Sequence, residues 1–502
     1  MEKSFVKKNI IPLIVLGLGV FIFIVAFYTH FHPFYIFDTD DWTYIAATRV
    51  PLPDAAAWNP TRILPEVLMP LTASLGVWLT MPFTHSYTES ICWAFAIVVG
   101  ILLSVYFVSI FLILKKGKNK TSNVLLVVLG LLLLHFLPMG EGGTATYMLY
   151  SSNVTCVFYY TISALWNAIL VMYAIRRHDS LVSEKDHKLL AGFVAAWAYF
   201  AINSNLFQSI IIAVYGGVII FLDLIKNAFG KNGLKAILID VVKKDFAWLL
   251  IVIVWLGSCW FEINGGRSAS LKTDTPYLES LKTTIALFIN TLKTFNKIWI
   301  YSLLLALVMA MAVFILSYIT KTLMDNDKDF AWLAIKLMLS AAIAALYLVL
   351  LCAKAGPGYI TRMNVQISWM FFAVLLEGVC FVYVLNRIPN ITCTMPLILC
   401  LMFYSTVIDG KIYSDTNISG VDTAKVKAFD EYVVESVVDA DKAGNTDIEL
   451  RVPEYSSGDN WPLALYGGDS ISNTLYVQGL TNKRMNITFI PEGSIDDILN
   501  NR

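Results

Sequence analysis

The feature that most constrains this chain is a recurring run of about 17–25 apolar residues, each long enough as a helix to cross a hydrocarbon layer of ~30 Å. Such runs are read at 10–28, 89–114, 122–138, 153–175, 189–203, 205–225, 246–262, 298–320, 331–353, 364–386 and 391–408. The stretch 189–225 is too long for one span, and Asn203-Ser204-Asn205 supplies a turn that divides it. Composition agrees, with 57% hydrophobic and 15% charged residues against roughly 45–50% and about 25% in average soluble chains. A soluble enzyme, a nucleic-acid-binding protein and a disordered chain are all excluded. The fold class expected is an all-α polytopic membrane protein of about eleven transmembrane helices (residues 1–410), followed by a small α/β domain at 411–502.

Charge placement orients the expected bundle. The first run follows Lys3, Lys7 and Lys8 and lacks a small-residue cleavage pattern before the polar stretch 30–41, so it reads as a retained span with its amino end in the cytoplasm. Alternate connectors then hold 19 basic residues on that side and nine on the other, the asymmetry that cytoplasmic loops carry. The net charge of zero conceals a split, because the tail from Lys411 onward has 8 basic and 15 acidic residues. An odd number of spans puts this acidic tail outside the cell, on a plasma or inner membrane protein. Within it a helix is expected near 424–440, and alternating polarity predicts strands at 447–452, 474–478 and 486–490.

Two outer segments exceed the needs of a connector. Residues 30–88 include an apolar portion, 66–82, broken by Pro65, Pro70 and Pro82, which reads as an interfacial helix. Residues 264–297 carry Leu278, Leu281, Ile285, Ile289 and Leu292 at helical spacing, which suggests a second helix in the membrane plane. The seven cysteines all fall in apolar runs without metal-ligand spacing, so neither disulfides nor a zinc site is expected. Five Asn-x-Ser/Thr matches read as chance. No phosphate loop, HExxH or GxSxG pattern occurs.

The chemistry is expected in the outer loops. Asp38, Asp40 and Asp41 crowd three carboxylates into four positions, which their mutual repulsion disfavours unless a cation, an arginine or a proton transfer makes use of them. A carboxylate there can deprotonate an incoming hydroxyl; a solvated loop with a helix cap is the plainer alternative. Trp58-Asn59-Pro60-Thr61-Arg62 follows, with Glu66 beyond. Arginine forks match phosphate oxygens, which makes Arg49, Arg62, Arg267 and Arg362 candidates, Arg362 foremost because it enters a span from a Gly/Pro-structured loop. Glu141 and Tyr150 suit hydroxyl recognition. Asn203 and Asn205 read as turn formers and His135 as a structural histidine. Glu377 is an isolated ionisable group toward the cytoplasmic half of its span.

An Asp-Asp pair followed by aromatics in the first outer loop, then Asn-x-x-Arg leading into an interfacial helix, resembles the GT-C superfamily of polytopic glycosyltransferases. Within it, the likeness is to the bacterial families that decorate O-antigen or other cell-envelope polysaccharides. The resemblance implies a membrane glycosyltransferase that moves a sugar from a polyprenyl-phosphate carrier to an extracytoplasmic polysaccharide or lipid-linked glycan. It implies Asp40 or Asp41 as catalytic base, with Asp38, Asn59, Arg62, Arg267, Arg362, Glu141 and Tyr150 binding substrate. No cofactor is required, since arginines can neutralise the phosphate, although paired carboxylates can hold a divalent cation. The rival readings are a transporter or flippase for a lipid-linked glycan, and a polysaccharide polymerase or ligase.

Overall fold

The computed structural model describes residues 2–37, 39–116, 119–140, 147–149, 153–182, 187–228, 239, 241–270, 275–388, 422–454 and 465–500. The protein is mostly helical. Among the described residues nine helices have the length and composition to cross a membrane: Asn9–Phe31, Ile63–Thr84, Tyr87–Leu114, Val154–Arg176, Leu206–Asn227, Phe246–Asn264, Lys297–Ile319, Asp325–Ala355 and Met363–Arg387. Eight of them coincide with expected spans. The runs expected at 122–138 and 189–203 form shorter helices, Thr121–His135 and Lys188–Ile202. At 1.5 Å per residue, about 22 Å each, they fall short of the layer. The first stops before Pro138, as a proline bars the residue ahead of it from the helical region. The span expected at 391–408 lies outside the described residues.

The most enclosed helices are Val154–Arg176 and Met363–Arg387, and they form the middle of the bundle. Asn9–Phe31, Phe246–Asn264 and Lys297–Ile319 turn large apolar side chains outward, among them Ile11, Ile22, Ile253, Trp260 and Val308. In water such a surface would aggregate; in lipid it is the expected exterior.

Polar side chains gather at the two ends of the bundle. At one end Arg387 pairs with Asp327, Lys336 with Asp179 and Lys244 with Asp223, while Asn386 accepts from the Lys120 N–H at 3.0 Å. These residues lie in or near the connectors that the charge count groups on the expected cytoplasmic side. The opposite end, called here the tail face, carries the long loops and the C-terminal domain.

Ile63–Thr84 starts and finishes at the tail face. The Leu64 N–H donates to the Asn203 carbonyl at 2.9 Å, and the Asn203–Asn205 turn sits over Tyr159, whose carbonyl accepts from Asn205 Nδ2 at 3.1 Å. At its other end Thr84 Oγ1 lies 2.6 Å from Ser90 Oγ, in the first turn of Tyr87–Leu114. Length and composition permit a crossing, but these contacts lay the helix along the face, as its prolines suggested. The second in-plane candidate is the helix Tyr277–Lys293, with Leu278, Ile285 and Ile289 exposed and Ser280, Thr284 and Thr291 buried. A helix that hides its hydroxyls in protein and shows its aliphatic side chains outward is built for a lipid contact.

The C-terminal domain is a βαβ unit braced by a helix. Strands β1 (Asp447–Val452) and β2 (Asn486–Pro491) pair in parallel, so a crossover must join them. The helix Gly468–Val477 supplies it, correcting the strand expected at 474–478. Ile471 and Leu475, four apart, are both buried, and Gly479 at φ 77° stops the helix in the left-handed region. The helix Thr423–Lys442 occupies the expected segment.

This domain is clamped to the first loop. The Glu431 carboxylate sits at the N-terminus of Tyr87–Leu114, accepting from Ser86 Oγ (2.8 Å), the Thr88 N–H (2.9 Å), Thr88 Oγ1 (2.5 Å) and the Tyr87 N–H (3.3 Å). An anion there satisfies amides that have no partner within the helix and opposes the positive helix end. Lys427 pairs with Glu89 beside it. Asp430, fully buried, accepts from the Ile36 N–H at 3.3 Å, and burial pushes its carboxyl well above the usual range, with Asp41 and Glu431 adding to the rise. Further along, Thr474 Oγ1 donates to the Trp42 carbonyl at 2.5 Å.

Replacing Glu431 with Ala strips these donors of a charged acceptor and is expected to destabilise the junction by about 2–4 kcal/mol. Limited proteolysis of the full chain checks it: the C-terminal domain should be cut several-fold faster in Glu431→Ala than in the parent.

Candidate active site on the tail face

The helix Thr39–Ala46 begins with Asp40 and Asp41 in its first turn, where its dipole favours negative charge. The two carboxylates then diverge. Asp41 is completely buried; its Oδ2 accepts from the Phe37 N–H at 2.7 Å and its Oδ1 from the Thr155 N–H at 2.9 Å. Asn153 adds a longer contact at 3.5 Å. Asp41 therefore ties the first loop to the start of Val154–Arg176. Asp40, one position earlier, is exposed. Asp38, Glu141 and Tyr150 lie outside the described residues.

Past this helix the chain closes on Glu66. Its Oε1 accepts from Tyr159 Oη at 2.8 Å and Asn59 Nδ2 at 3.1 Å, and its Oε2 pairs with Arg49 Nη1 at 2.7 Å. Arg49 spends its other donors on the carbonyls of Asn59 (2.7 Å), Pro60 (3.0 Å) and Leu52 (3.3 Å). The expectation that Arg49 is available to phosphate is corrected: its fork is committed to holding residues 49–66 as one knot. Asn59 also donates to Tyr44 Oη at 3.1 Å, so it organises the loop from within.

Arg62 and Arg267 emerge from two loops packed on each other. Thr61 is pinned by Glu262, whose Oε1 accepts from the Thr61 N–H at 2.8 Å and its hydroxyl at 2.6 Å. The Arg267 N–H donates to the Trp58 carbonyl at 3.1 Å. Gly265 allows this approach, because a Cβ there would overlap the Pro60 ring. Arg62 lies over the Tyr159 ring, 5.3 Å from its centre, Arg362 over the Tyr359 ring at 4.5 Å, and Arg267 Nη2 meets Tyr359 Oη at 3.3 Å. Three of the four expected arginines thus converge on a pair of tyrosines.

Beside them opens a cavity of about 490 Å³. Arg62, Arg267 and Lys354 line it with Glu262 and Tyr359, and Leu206, Phe207, Ile263 and Leu351 form apolar walls. Ile263 and Tyr277 at its margin are also exposed, so the cavity adjoins the outward, lipid-type surface. Arg362, the leading phosphate candidate, is exposed and outside this lining; Lys354, eight residues earlier, takes a place in it. The reason is the turn: Gly356 at φ 133° and the short 3-10 helix Pro357–Thr361 direct Tyr359 into the cavity and leave Arg362 on the rim.

Charge reaches Tyr359 strongly enough to titrate it. Burial works to raise its pKa, but the hydrogen bond and charge of Arg267, with Arg362 and Arg62 beyond, outweigh burial and hold it below 10. Tyr44 behaves oppositely. Burial, then the charges of Glu66 and Asp40, raise its pKa, while the neighbouring Tyr159 hydroxyl and the charge of Arg62 oppose the rise. Asp40 and Arg62 thus act on one phenol.

Glu66, Glu262, Lys354 and Tyr359 carry most of the geometry and were not among the expected site residues. A signal existed for the first two, since a carboxylate next to a loop already holding arginines needs a donor. Asn203 and Asn205 form the turn expected of them, with Asn205 Oδ1 accepting from the Phe207 N–H at 2.9 Å. His135 is buried, its Nδ1 2.6 Å from the Leu131 carbonyl oxygen. Glu377 is buried in Met363–Arg387, about 21 Å along the helix from the tail face. Among the described residues no group of three or more His, Cys, Asp or Glu side chains is placed to hold a metal ion. Compared with family models, curated proteins and solved structures, the chain gives no match.

Two outcomes test this geometry. Gly265→Ala is expected to cost about 1–3 kcal/mol through overpacking against Pro60, read as a lowered Tm of the purified chain. In a spectrophotometric titration, subtracting Tyr359→Phe from the parent should isolate one phenol ionising below 10, and Arg267→Met should move that component upward. The sign follows from linkage. A phenol with a depressed folded pKa contributes stability that is complete above the unfolded value near 10 and is lost as pH falls through the folded one.

Proposed function

We propose that the protein is a membrane glycosyltransferase that moves a sugar from a polyprenyl-phosphate carrier to an extracytoplasmic glycan of the cell envelope. In this reading the tail face lies outside the cell, and the architecture is of the GT-C kind. The observation that carries it is the cavity beside Arg62, Arg267 and Lys354, with cations at one end and apolar walls beside the lipid-type surface. A polyprenyl phosphate has the same division, a charged head at the membrane surface and a long apolar tail within it.

The reaction that fits is a direct displacement. Asp40 takes the proton of an acceptor hydroxyl, the oxygen bonds to the anomeric carbon, and the bond from that carbon to the phosphate oxygen breaks. The polyprenyl phosphate leaves with its charge met by Arg62, Arg267 and Lys354. Asp40, which is exposed, suits the base role better than Asp41, which is completely buried and out of an acceptor's reach. The transporter reading calls for polar groups near the midplane; here the arginines and Asp40 gather at one face.

Sugar transfer from a polyprenyl-phosphate-linked hexose, measured with the purified full chain, tests this. Asp40→Asn should lower kcat at least ~100-fold with Tm unchanged, and Arg267→Ala should chiefly raise the donor KM. Normal turnover in Asp40→Asn would sink the mechanism.

A further inference from the structure

The helix Thr39–Ala46 forms one wall of a second concavity, of about 760 Å³. Its remaining walls belong to the C-terminal domain: Asp447 and Asn486 at the start of the paired strands, Asp469, Ser470 and Asn473 on the crossover helix, and Arg484. Thr43 Oγ1 and Ser470 Oγ, 2.8 Å apart, fasten the two sides together. The lining is nearly all polar, unlike that of the cavity beside Arg62. Asp447 is held in place by donors on both oxygens, Thr446 Oγ1 at 2.6 Å and Asn486 Nδ2 at 3.0 Å. Among the described residues Asp469 and Asn473 have no hydrogen-bond partner and face the cleft with capacity to spare.

Helical spacing connects this cleft to the proposed base. Asp40, Thr43 and Ala47, at i, i+3 and i+7, share one side of their helix, and the latter two line the cleft. Tyr44, at i+4, lies on the same side, and its hydroxyl accepts from Asn59 in the loop that leads to Arg62. A ligand lying in the cleft would therefore end beside Asp40, which stands between Thr43 at the cleft and Tyr44 at that loop.

We infer that the cleft between the helix Thr39–Ala46 and the C-terminal domain is the acceptor subsite, and that it takes a neutral, hydroxyl-rich saccharide. This rests on the glycosyltransferase reading and assigns the C-terminal domain a role in it. Carboxylates and amides are the side chains that bind vicinal hydroxyls, accepting and donating at once. Two carboxylates against one arginine, on a domain with 15 acidic and 8 basic residues, disfavour a uronate or phosphate-bearing chain. The volume, about 760 Å³, lies within the roughly 300–1,000 Å³ of ligand pockets.

The test uses the full chain in lipid nanodiscs, titrated by calorimetry with neutral six-sugar oligosaccharides (gluco-, galacto- and rhamno-series), with an oligouronate, and separately with undecaprenyl phosphate. The expected result is binding of at least one neutral series and none of the oligouronate. Asn473→Trp, which fills the cleft, and the isosteric Asp469→Asn should weaken that binding at least tenfold while leaving undecaprenyl phosphate binding and Tm unchanged. Failure of every neutral series to bind, equal binding of the oligouronate, or unaltered binding in both variants would overturn the subsite. The two readings separate cleanly. Transfer activity with an unchanged acceptor KM in both variants removes the subsite and leaves the glycosyltransferase. Cleft-dependent saccharide binding without any transfer removes the glycosyltransferase and leaves the subsite.

Discussion

A carboxylate withdrawn from water at a membrane surface must find donors or lose its charge. Glu66 finds Arg49, Asn59 and Tyr159, and through Asn59 it reaches Tyr44. That single side chain joins the end of the helix Thr39–Ala46, the loop before Arg62 and the middle of the tail face. Without Glu66, Arg49 would have no anion to face, Asn59 would keep only the Tyr44 hydroxyl, and the loop before Arg62 would lose one of its anchors. Glu262 repeats the device on the neighbouring loop, fixing Thr61 and with it the approach of Gly265 to Pro60. The placement of the loops that bear Arg62 and Arg267 follows from two acids, Glu66 buried and Glu262 half-buried.

The apolar runs made the membrane body legible, because length and hydropathy act locally and a helix in lipid has few alternatives. The helices at 63–84 and 277–293 were legible as helices for a similar reason. Prolines at 65, 70 and 82 and the amphipathic spacing of 278–292 are properties of the segments themselves. The helix Gly468–Val477 was not. Its polar and apolar residues alternate over 474–478, and only the need to connect two parallel strands settles its period. Among the candidate residues, clustering on one face was visible from the loop assignment for Asp40, Arg62, Arg267 and Arg362. Which arginine is spent on structure was not, since Arg49 and Arg62 differ only in what folds against them. Lys354 and Arg362 exchange expected places because of a backbone turn at Gly356, a matter of dihedral angle that composition does not reveal.

The tail face holds two concavities of opposite character. One combines guanidinium groups with aliphatic walls and adjoins the outward surface; the other is polar and made largely by the C-terminal domain. A transfer between a lipid-borne donor and a water-borne acceptor needs such a partition, because the two substrates share neither solvent nor chemistry. Asp41 and Trp42 contribute by being immobile. The first is locked by backbone amides, the second buried and stacked on Tyr87 with ring centres 6.2 Å apart. Preorganisation of this kind is what a displacement at a surface requires.

The clamp at Glu431 also has a bearing on biosynthesis. Ile36, Trp42, Thr43 and the segment Ser86-Tyr87-Thr88 all wait for partners that lie beyond residue 429 in the chain. A ribosome makes the first loop early and those partners last, and contacts so distant in sequence form late. The nascent chain can thread its helices into lipid long before its outer surface is complete. Completion of the tail face is thereby deferred until the C-terminal domain has been made and has seated.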